Sequence, residues 1–232
     1  MTGAAQAAAI RRRIQIPLHF GDGYSTMATV VSFTGLADAQ QHVAFELGRP
    51  AAAGLPLVRL HSECLTGDVF GSQRCDCGPQ LREAVERITR HGGYVLYMRQ
   101  EGRGIGLYDK LDAYALQDRG LDTYDANLVL GHRADERDYT SAAQMLHALG
   151  ASRIGLLSNN PDKGAQLARL GITIDRQVPT ALHLTQTNAA YLATKARRGG
   201  HNLLVRGLER AAGPRWPADP LAGPADVGFK GR

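Results

Sequence analysis

Long apolar runs are missing from this sequence: no stretch approaches the ~18 residues that a membrane-spanning helix needs. That excludes a helical membrane protein. Cysteine is scarce, with three in 232 residues, at positions 64, 75 and 77. An odd number argues against a secreted disulfide scaffold and for a reducing compartment, the cytoplasm. Aromatic residues make up 6% and do not interleave with the basic segments, which argues against a nucleic-acid surface built on stacking. No fixed-period repeat recurs, so a solenoid is excluded. Lysine is rare as well: of 27 basic residues only four are lysines, Lys110, Lys163, Lys195 and Lys230.

What is present is ordinary globular material. Hydrophobic residues reach 44% and charged residues 21%, enough to build a core without disulfides in one large or two small domains. The net charge of +5 is carried by arginine, whose planar fork suits phosphate and carboxylate. A GC-rich genome would also enrich arginine, so charge alone allows a nucleotide, a nucleic acid or only a soluble surface. The N-terminal MTGAAQAAAIRRR has its charge after its apolar part, the reverse of a secretory signal. Residues 1–13 are expected to be flexible, 14–204 to form the folded domain, and 205–232 to be a mobile tail. From Pro214 onward that tail holds four of the ten prolines, a composition that continues neither a helix nor a central strand.

Strand-like and helix-like segments alternate between the ends. YSTMATVVSF (24–33) and QHVAFELG (41–48) read as paired strands, and LPLVRLHSE (55–63) as another. PQLREAVERITRHG (79–92) reads as a helix opened by Pro79, with a Leu81–Val85–Ile88 stripe, stopped by Gly92–Gly93. YVLYM (94–98) is a short buried strand. A helix over 107–120 is expected to keep Leu107, Leu111, Tyr114 and Ala115 on one side. Helices over 141–150 and 161–171, strands over 153–158 and 172–178, and a last helix over about 188–198 complete the pattern. The alternation predicts an α/β, three-layer architecture with a mixed β-sheet, because the early strands add antiparallel neighbours.

All three cysteines fall within the fourteen positions from Cys64 to Cys77, in HSECLTGDVFGSQRCDCG. Three thiolates gathered by one loop make a soft site suited to zinc. With three protein ligands the ion keeps an open position for water, as catalytic zinc does; with His61 as a fourth, it would be structural. Spacing alone leaves both open, together with three unrelated thiols. Gly67, Gly71 and Gly78 let the loop bend.

RQEGRGIGLYDK (99–110) joins a buried strand to a helix. Such a turn brings backbone N–H groups and a helix start to an anion, with Arg99 and Arg103 as charged donors and Glu101 for an amine edge. It is neither GxGxxG nor a Walker loop. An ordinary strand-to-helix turn with solvated charges would look the same. In GHRADERDY (131–139), Asp135 and Arg137 are two apart and can share one side of an extended segment. In SNNPDKG (158–164), Asn160 caps a helix, Pro161 suits its first turn, and Lys163 lies near its positive end. A solvated loop and simple helix initiation are the plainer readings of these two strings.

RLHSECLTGDVFGSQRCDCGPQL (59–81), YMRQEGRGIGLYDKLDAYALQD (97–118), ADERDY (134–139) and LLSNNPDK (156–163) resemble, in order, the motifs of GTP cyclohydrolase II. The likeness runs from about residue 14 to 204 and implies the stand-alone form. It implies hydrolysis of GTP to 2,5-diamino-6-ribosylamino-4(3H)-pyrimidinone 5′-phosphate, formate and pyrophosphate, the first step of riboflavin biosynthesis. It implies zinc at Cys64, Cys75 and Cys77, magnesium with the triphosphate, and a homodimer with neither nucleic acid nor membrane as partner. Arg59, Leu60, His61, Ser62, Glu63, Gln80, Glu101, Gly102, Arg103, Thr123, Ser158 and Lys163 match GTP-contacting positions. Asp135 matches the family's proton acceptor, Arg137 its nucleophile at the α-phosphate, and Tyr114 a tyrosine of the ring chemistry. A guanidinium is almost always protonated, so Arg137 suits charge stabilisation at least as well as attack. Ser158 departs from the threonine frequent in relatives but keeps the hydroxyl. The alternatives are a diverged relative that opens the ring and keeps the formyl group, or a non-catalytic zinc protein that binds a nucleotide.

Overall fold

The computed structural model describes residues 8–133, 135–185, 188 and 192. The chain runs through strands β1 (Ala9–His19), β2 (Ser25–Thr34), β3 (Val43–Leu47) and β4 (Leu57–Ser62), then helix α1 (Cys77–His91) and strand β5 (Gly93–Met98). Helices α2 (Leu107–Asp118), α3 (Thr123–Val129) and α4 (Thr140–Ala148) follow, then β6 (Arg153–Leu157), α5 (Pro161–Arg169) and β7 (Thr173–Val178). The strands make one seven-stranded sheet in the order β1-β2-β3-β5-β4-β6-β7. The β1–β2, β2–β3 and β3–β5 pairs are antiparallel. The β5–β4, β4–β6 and β6–β7 pairs are parallel, so the sheet is mixed.

Its two faces carry different helices, giving the three layers. Ala84, Val85 and Ile88 of α1 pack with Leu57, Val95 and Leu157 on one face. Ala142, Met145 and Leu146 of α4 and Leu167 of α5 pack with Val58, Leu60, Leu96 and Leu156 on the other. Neighbouring residues of β4 and β5 thus point to opposite cores, as the pleat requires, and near-continuous apolar runs suit strands covered on both sides. Burying each such Leu, Ile or Val contributes about 1.5–3 kcal/mol against the cost of chain ordering.

Four expectations change. Residues 9–13 are not a loose leader but the first half of β1, which pairs with β2 from Ala9↔Thr34 to His19↔Ser25. Its Ile14–Ile16–Leu18 alternation is a strand signal hidden by the adjacent arginines. Helix α1 starts at Cys77, so Pro79 is its third residue rather than its first. Helix α3 was not anticipated; Asp122 caps it by accepting from the backbone N–H groups of Tyr124 at 2.8 Å and Asp125 at 3.0 Å. In α2 the expected apolar stripe fails: Leu111 is 44% exposed, while Lys110 and Ala113 are buried. The helix turns a polar face inward because that face lines a cavity rather than a core. The expected helix over 188–198 lies, apart from residues 188 and 192, outside the described residues, as does the tail. Among the described residues no helix is long and apolar enough to cross a membrane.

Candidate active site

Parallel neighbours β4, β5 and β6 all end on the same side of the sheet, and each runs directly into one of the motif loops. Ligands in open α/β sheets bind at such carboxyl ends. The loops after Ser62, Met98 and Leu157, with α2, the start of α3 and residues 135–137, enclose a cavity of about 320 Å³. Of the residues expected at the site, Arg59, His61, Ser62, Glu63, Gln80, Glu101, Gly102, Arg103, Thr123, Ser158, Lys163, Tyr114, Asp135, Arg137 and the three cysteines line it. Leu60 does not. Its side chain is buried in the core, and only its carbonyl serves, accepting from Lys163 Nζ at 2.9 Å.

The thiols converge. The three Sγ atoms lie within 4.8 Å of one another, and Cys64 Sγ is 3.7 Å from Cys75 Sγ. Tetrahedral zinc with bonds of ~2.3 Å needs sulfurs ~3.8 Å apart, so the spacing fits the ion. A π-helical turn over Leu65–Val69 and the start of α1 supply the frame. Gly67 makes the approach possible: a Cβ there would lie 2.8 Å from Cys75 Sγ and 3.0 Å from Cys64 Sγ. His61 does not join as a fourth ligand, because its Nε2 faces the Asp68 carboxylate at 3.1 Å. Hydrogen bonds from the other two thiols, with the Lys110 ammonium, hold Cys64 well below the usual thiol range. The same thiolate, with burial, pushes Cys75 up to about 11 and Cys77 upward too. A soft cation that displaces those protons would find three donors already in place.

Two buried carboxylates hold the loops. Asp68 accepts from the Cys64 backbone N–H at 3.0 Å and from the Tyr97 hydroxyl at 2.9 Å, besides His61. Glu101 accepts from the Leu65 N–H at 2.7 Å through one oxygen, and from the Gly102 N–H at 3.0 Å and Lys110 Nζ at 2.8 Å through the other. Most of its acceptor capacity is spent within the protein. Gly102 and Arg103 both take left-handed backbone, at φ 62° and 66°. That conformation is costly for arginine, and it lays the Arg103 guanidinium over the Tyr124 ring at 4.3 Å.

The remaining cations are arranged by side-chain pairs. Arg59 donates to Gln80 at 2.6 Å, and Gln80 in turn to Asp76. Burial lowers the Arg59 pKa, opposed by the Asp76 charge. Arg137 Nε donates to Asp135 Oδ1 at 2.8 Å and its Nη2 to Oδ2, a bidentate pair. Burial raises the Asp135 pKa, but the Arg137 hydrogen bonds and charge outweigh it and hold the carboxyl below its usual range. Asn160 caps α5 through the Asp162 N–H, with Pro161 in the first turn, as the sequence implied. Ser158 Oγ accepts from the Asn160 N–H at 3.0 Å. Burial raises the Tyr114 pKa, so its phenol stays protonated near neutral pH, and Arg74 lies 4.9 Å from the ring centroid. Burial also keeps His61 neutral by lowering its pKa against the pull of Asp68. Arg59 Nε, His61 Nδ1 and Asn127 Nδ2 are buried without a partner among the described residues. All three belong to the cavity wall, where a polar ligand would satisfy them.

Sequence reasoning missed Lys110, Asp68 and Tyr97. Lys110 had a signal: it precedes Tyr114 by one helical turn and is one of only four lysines. Asp68 and Tyr97 carried none, since their roles exist only once two distant strands and a loop meet.

The sequence model of the GTP cyclohydrolase II family matches residues 11–179. A GTP cyclohydrolase-2 of Psychromonas ingrahamii is 49% identical over 190 residues, 82% of this chain and 95% of that protein. One of Vibrio parahaemolyticus is 50% identical over 194 residues, 83% of this chain and 98% of that protein. Among solved structures, the two-domain 3,4-dihydroxy-2-butanone 4-phosphate synthase RibBX from A. baumannii matches at 18% identity. It covers 76% of this chain and 41% of its own, with a TM-score of 0.38, too loose a likeness to build on.

Proposed function

The chain belongs to the GTP cyclohydrolase II family, and from that premise we propose how its cavity carries out the reaction. The substrate is GTP. The products are 2,5-diamino-6-ribosylamino-4(3H)-pyrimidinone 5′-phosphate, formate and pyrophosphate, opening riboflavin biosynthesis. One observation carries this reading: a single cavity is lined both by a thiol triad and by Arg103, Arg137 and Lys163. The reaction needs both, because it hydrolyses an imidazole ring and cleaves a triphosphate.

Cys64, Cys75 and Cys77 would hold one zinc ion, which when bound supplies Lewis-acid activation of water for attack at carbon 8 of the guanine. Tyr114, protonated, donates a hydrogen bond to the opening ring. Arg59, Gln80, Glu63 and His61 bind and orient the nucleotide, with Leu60 fixing Lys163 and Ser62 completing the wall. Gly102, Arg103, Thr123, Ser158 and Lys163 contact its polar groups, while Glu101 sets the loop that presents them. Arg137 stabilises charge at the α-phosphate, and Asp135 fixes its orientation. Attack by Arg137 would need a neutral guanidine, and a carboxylate held below its usual range is too weak a base to produce one. Among the described residues the cysteine triad is the one group of three or more metal-ligating side chains. Magnesium would accompany the bound triphosphate and neutralise charge on its oxygens. A reducing, cytoplasmic setting and a homodimer belong to the same reading, and the homodimer is checked by light scattering of the purified chain.

The test is purified protein with GTP, zinc and magnesium, with formate, pyrophosphate and the pyrimidine each assayed. Ring opening without formate would identify a formyl-retaining relative. Stripping the zinc should stop formate production yet leave some pyrophosphate release, with GMP as the nucleotide product. If folded, GTP-binding, metal-free protein releases no pyrophosphate, the two chemistries do not separate.

A further inference from the structure

The thiol triad and the glycine–arginine loop meet at one buried cation. We propose that Lys110 is a positioning residue that couples metal binding at the cysteines to nucleotide binding at residues 101–103. The inference rests on the zinc reading above and adds to it a residue and a linkage.

An ammonium has three protons, and here each has an acceptor. Lys110 Nζ lies 3.1 Å from Cys64 Sγ, 3.1 Å from Thr66 Oγ1 and 2.8 Å from Glu101 Oε1. The residue is only 7% exposed. A buried cation is tolerated only when its charge and protons are matched in this way. Three thiolates and a zinc dication would sum to one net negative charge, and the ammonium lies between that charge and the Glu101 carboxylate. A donor to a ligating sulfur also fixes that sulfur's direction, the usual work of an outer partner at a metal site.

Glu101 carries the connection onward. It grips the Leu65 N–H, the residue next to Cys64, and the Gly102 N–H, where the left-handed turn begins. The next residue, Arg103, accepts at its carbonyl from the Glu136 N–H at 3.0 Å, between Asp135 and Arg137. A continuous line of polar contacts therefore runs from a cysteine sulfur through Lys110 and Glu101 to the loop and the Asp135–Arg137 pair. Ordering one end restrains the other, and by linkage the effect is reciprocal.

The experiment uses the full chain, stripped of metal. Zinc affinity is measured by competition with a chromophoric chelator, with and without a non-hydrolysable GTP analogue. In the wild type the analogue should tighten zinc. Lys110→Met should weaken zinc about 10–100-fold and abolish the tightening, and Lys110→Arg, which keeps the charge, should restore part of both. Cobalt(II) reports the sulfur directly: without the Lys110 hydrogen bond the thiolate-to-cobalt charge-transfer band should move to lower energy, which a mere packing defect would not cause. A folded Lys110→Met with wild-type zinc affinity and an unshifted cobalt band would overturn the proposal. Should that variant not fold, Glu101→Gln decides: it should bind zinc with the tightening lost, and undiminished tightening overturns the coupling. Wild type that binds zinc without any effect of the nucleotide defeats this inference alone. Wild type that binds neither metal defeats the zinc reading itself.

Discussion

The cysteine side of the cavity and the Asp135–Arg137 side solve the same problem differently. At the cysteines, the buried side chains of Asp68, Glu101 and Lys110 hold the frame before any ligand arrives. At residues 135–137 the guanidinium is occupied by its neighbour two residues away, and the Asp135 side chain is 37% exposed. One side is a cage with its donors fixed; the other is a self-paired charge that an anion can recruit. A metal site needs donors within tenths of an ångström, whereas under the proposed reading a flexible triphosphate would be met by a cation whose partner holds it ready.

The largest break should come from Cys75→Ser. A three-donor site has no spare ligand, so metal content should collapse and formate production cease, with pyrophosphate release surviving in part. Metal analysis beside the two product assays checks this; full zinc in the variant would remove Cys75 from the ligand set. Arg137→Ala should break the other side. Its expected loss is about 10²–10³ in pyrophosphate release, ~2.7–4 kcal/mol of transition-state stabilisation by analogy with oxyanion donors. Zinc should be retained, so normal pyrophosphate release in a folded variant would exclude the residue from the phosphate chemistry.

Gly67→Ala should disturb the cysteine side alone, without replacing a ligand. The new Cβ must push Cys75 Sγ and Cys64 Sγ aside, given its 2.8 and 3.0 Å approaches. Zinc affinity should fall about 10–100-fold, as for other changes around a ligand shell, while nucleotide retention by the arginine side persists. Chelator competition and analogue binding measure the two separately.

The smallest effect concerns pH. Asp135 has a depressed pKa in the fold, so its ionised pair with Arg137 contributes stability above the unfolded value of ~3.9. That contribution is lost as pH falls through the lower folded value. In wild type the pair should therefore stay intact through mildly acidic conditions. In Arg137→Ala burial is less opposed and the Asp135 pKa rises, so the acid limb of the residual activity should move to higher pH. A pH–rate profile with its acid limb in the wild-type position would show that Asp135 does not need its partner to stay ionised.

Much of this was legible residue by residue. The strands at 57–62, 93–98 and 153–157 and helix α5 follow from short apolar runs, Asn160 capping and Pro161, all local signals. The thiol triad was legible because three rare residues fall in one loop. Strand β1 was missed because an edge strand buries little, so its alternation is diluted by arginines. The inward face of α2 was misread because the sequence marks apolar stripes, and this helix buries Lys110 instead of Leu111.

Layer class, family and the residue types of the site could all be read along the chain, since periodicity and motif order are properties of neighbours in sequence. What those residues do to one another came from the folded arrangement. Glu101 became a bracket between loops, Lys110 the cation on a cysteine sulfur, and Leu60 a carbonyl for Lys163. Each of these contacts joins positions 36 to more than a hundred residues apart. Burial then made every one of them consequential, because a charge removed from water must find its partner wherever the fold has placed it.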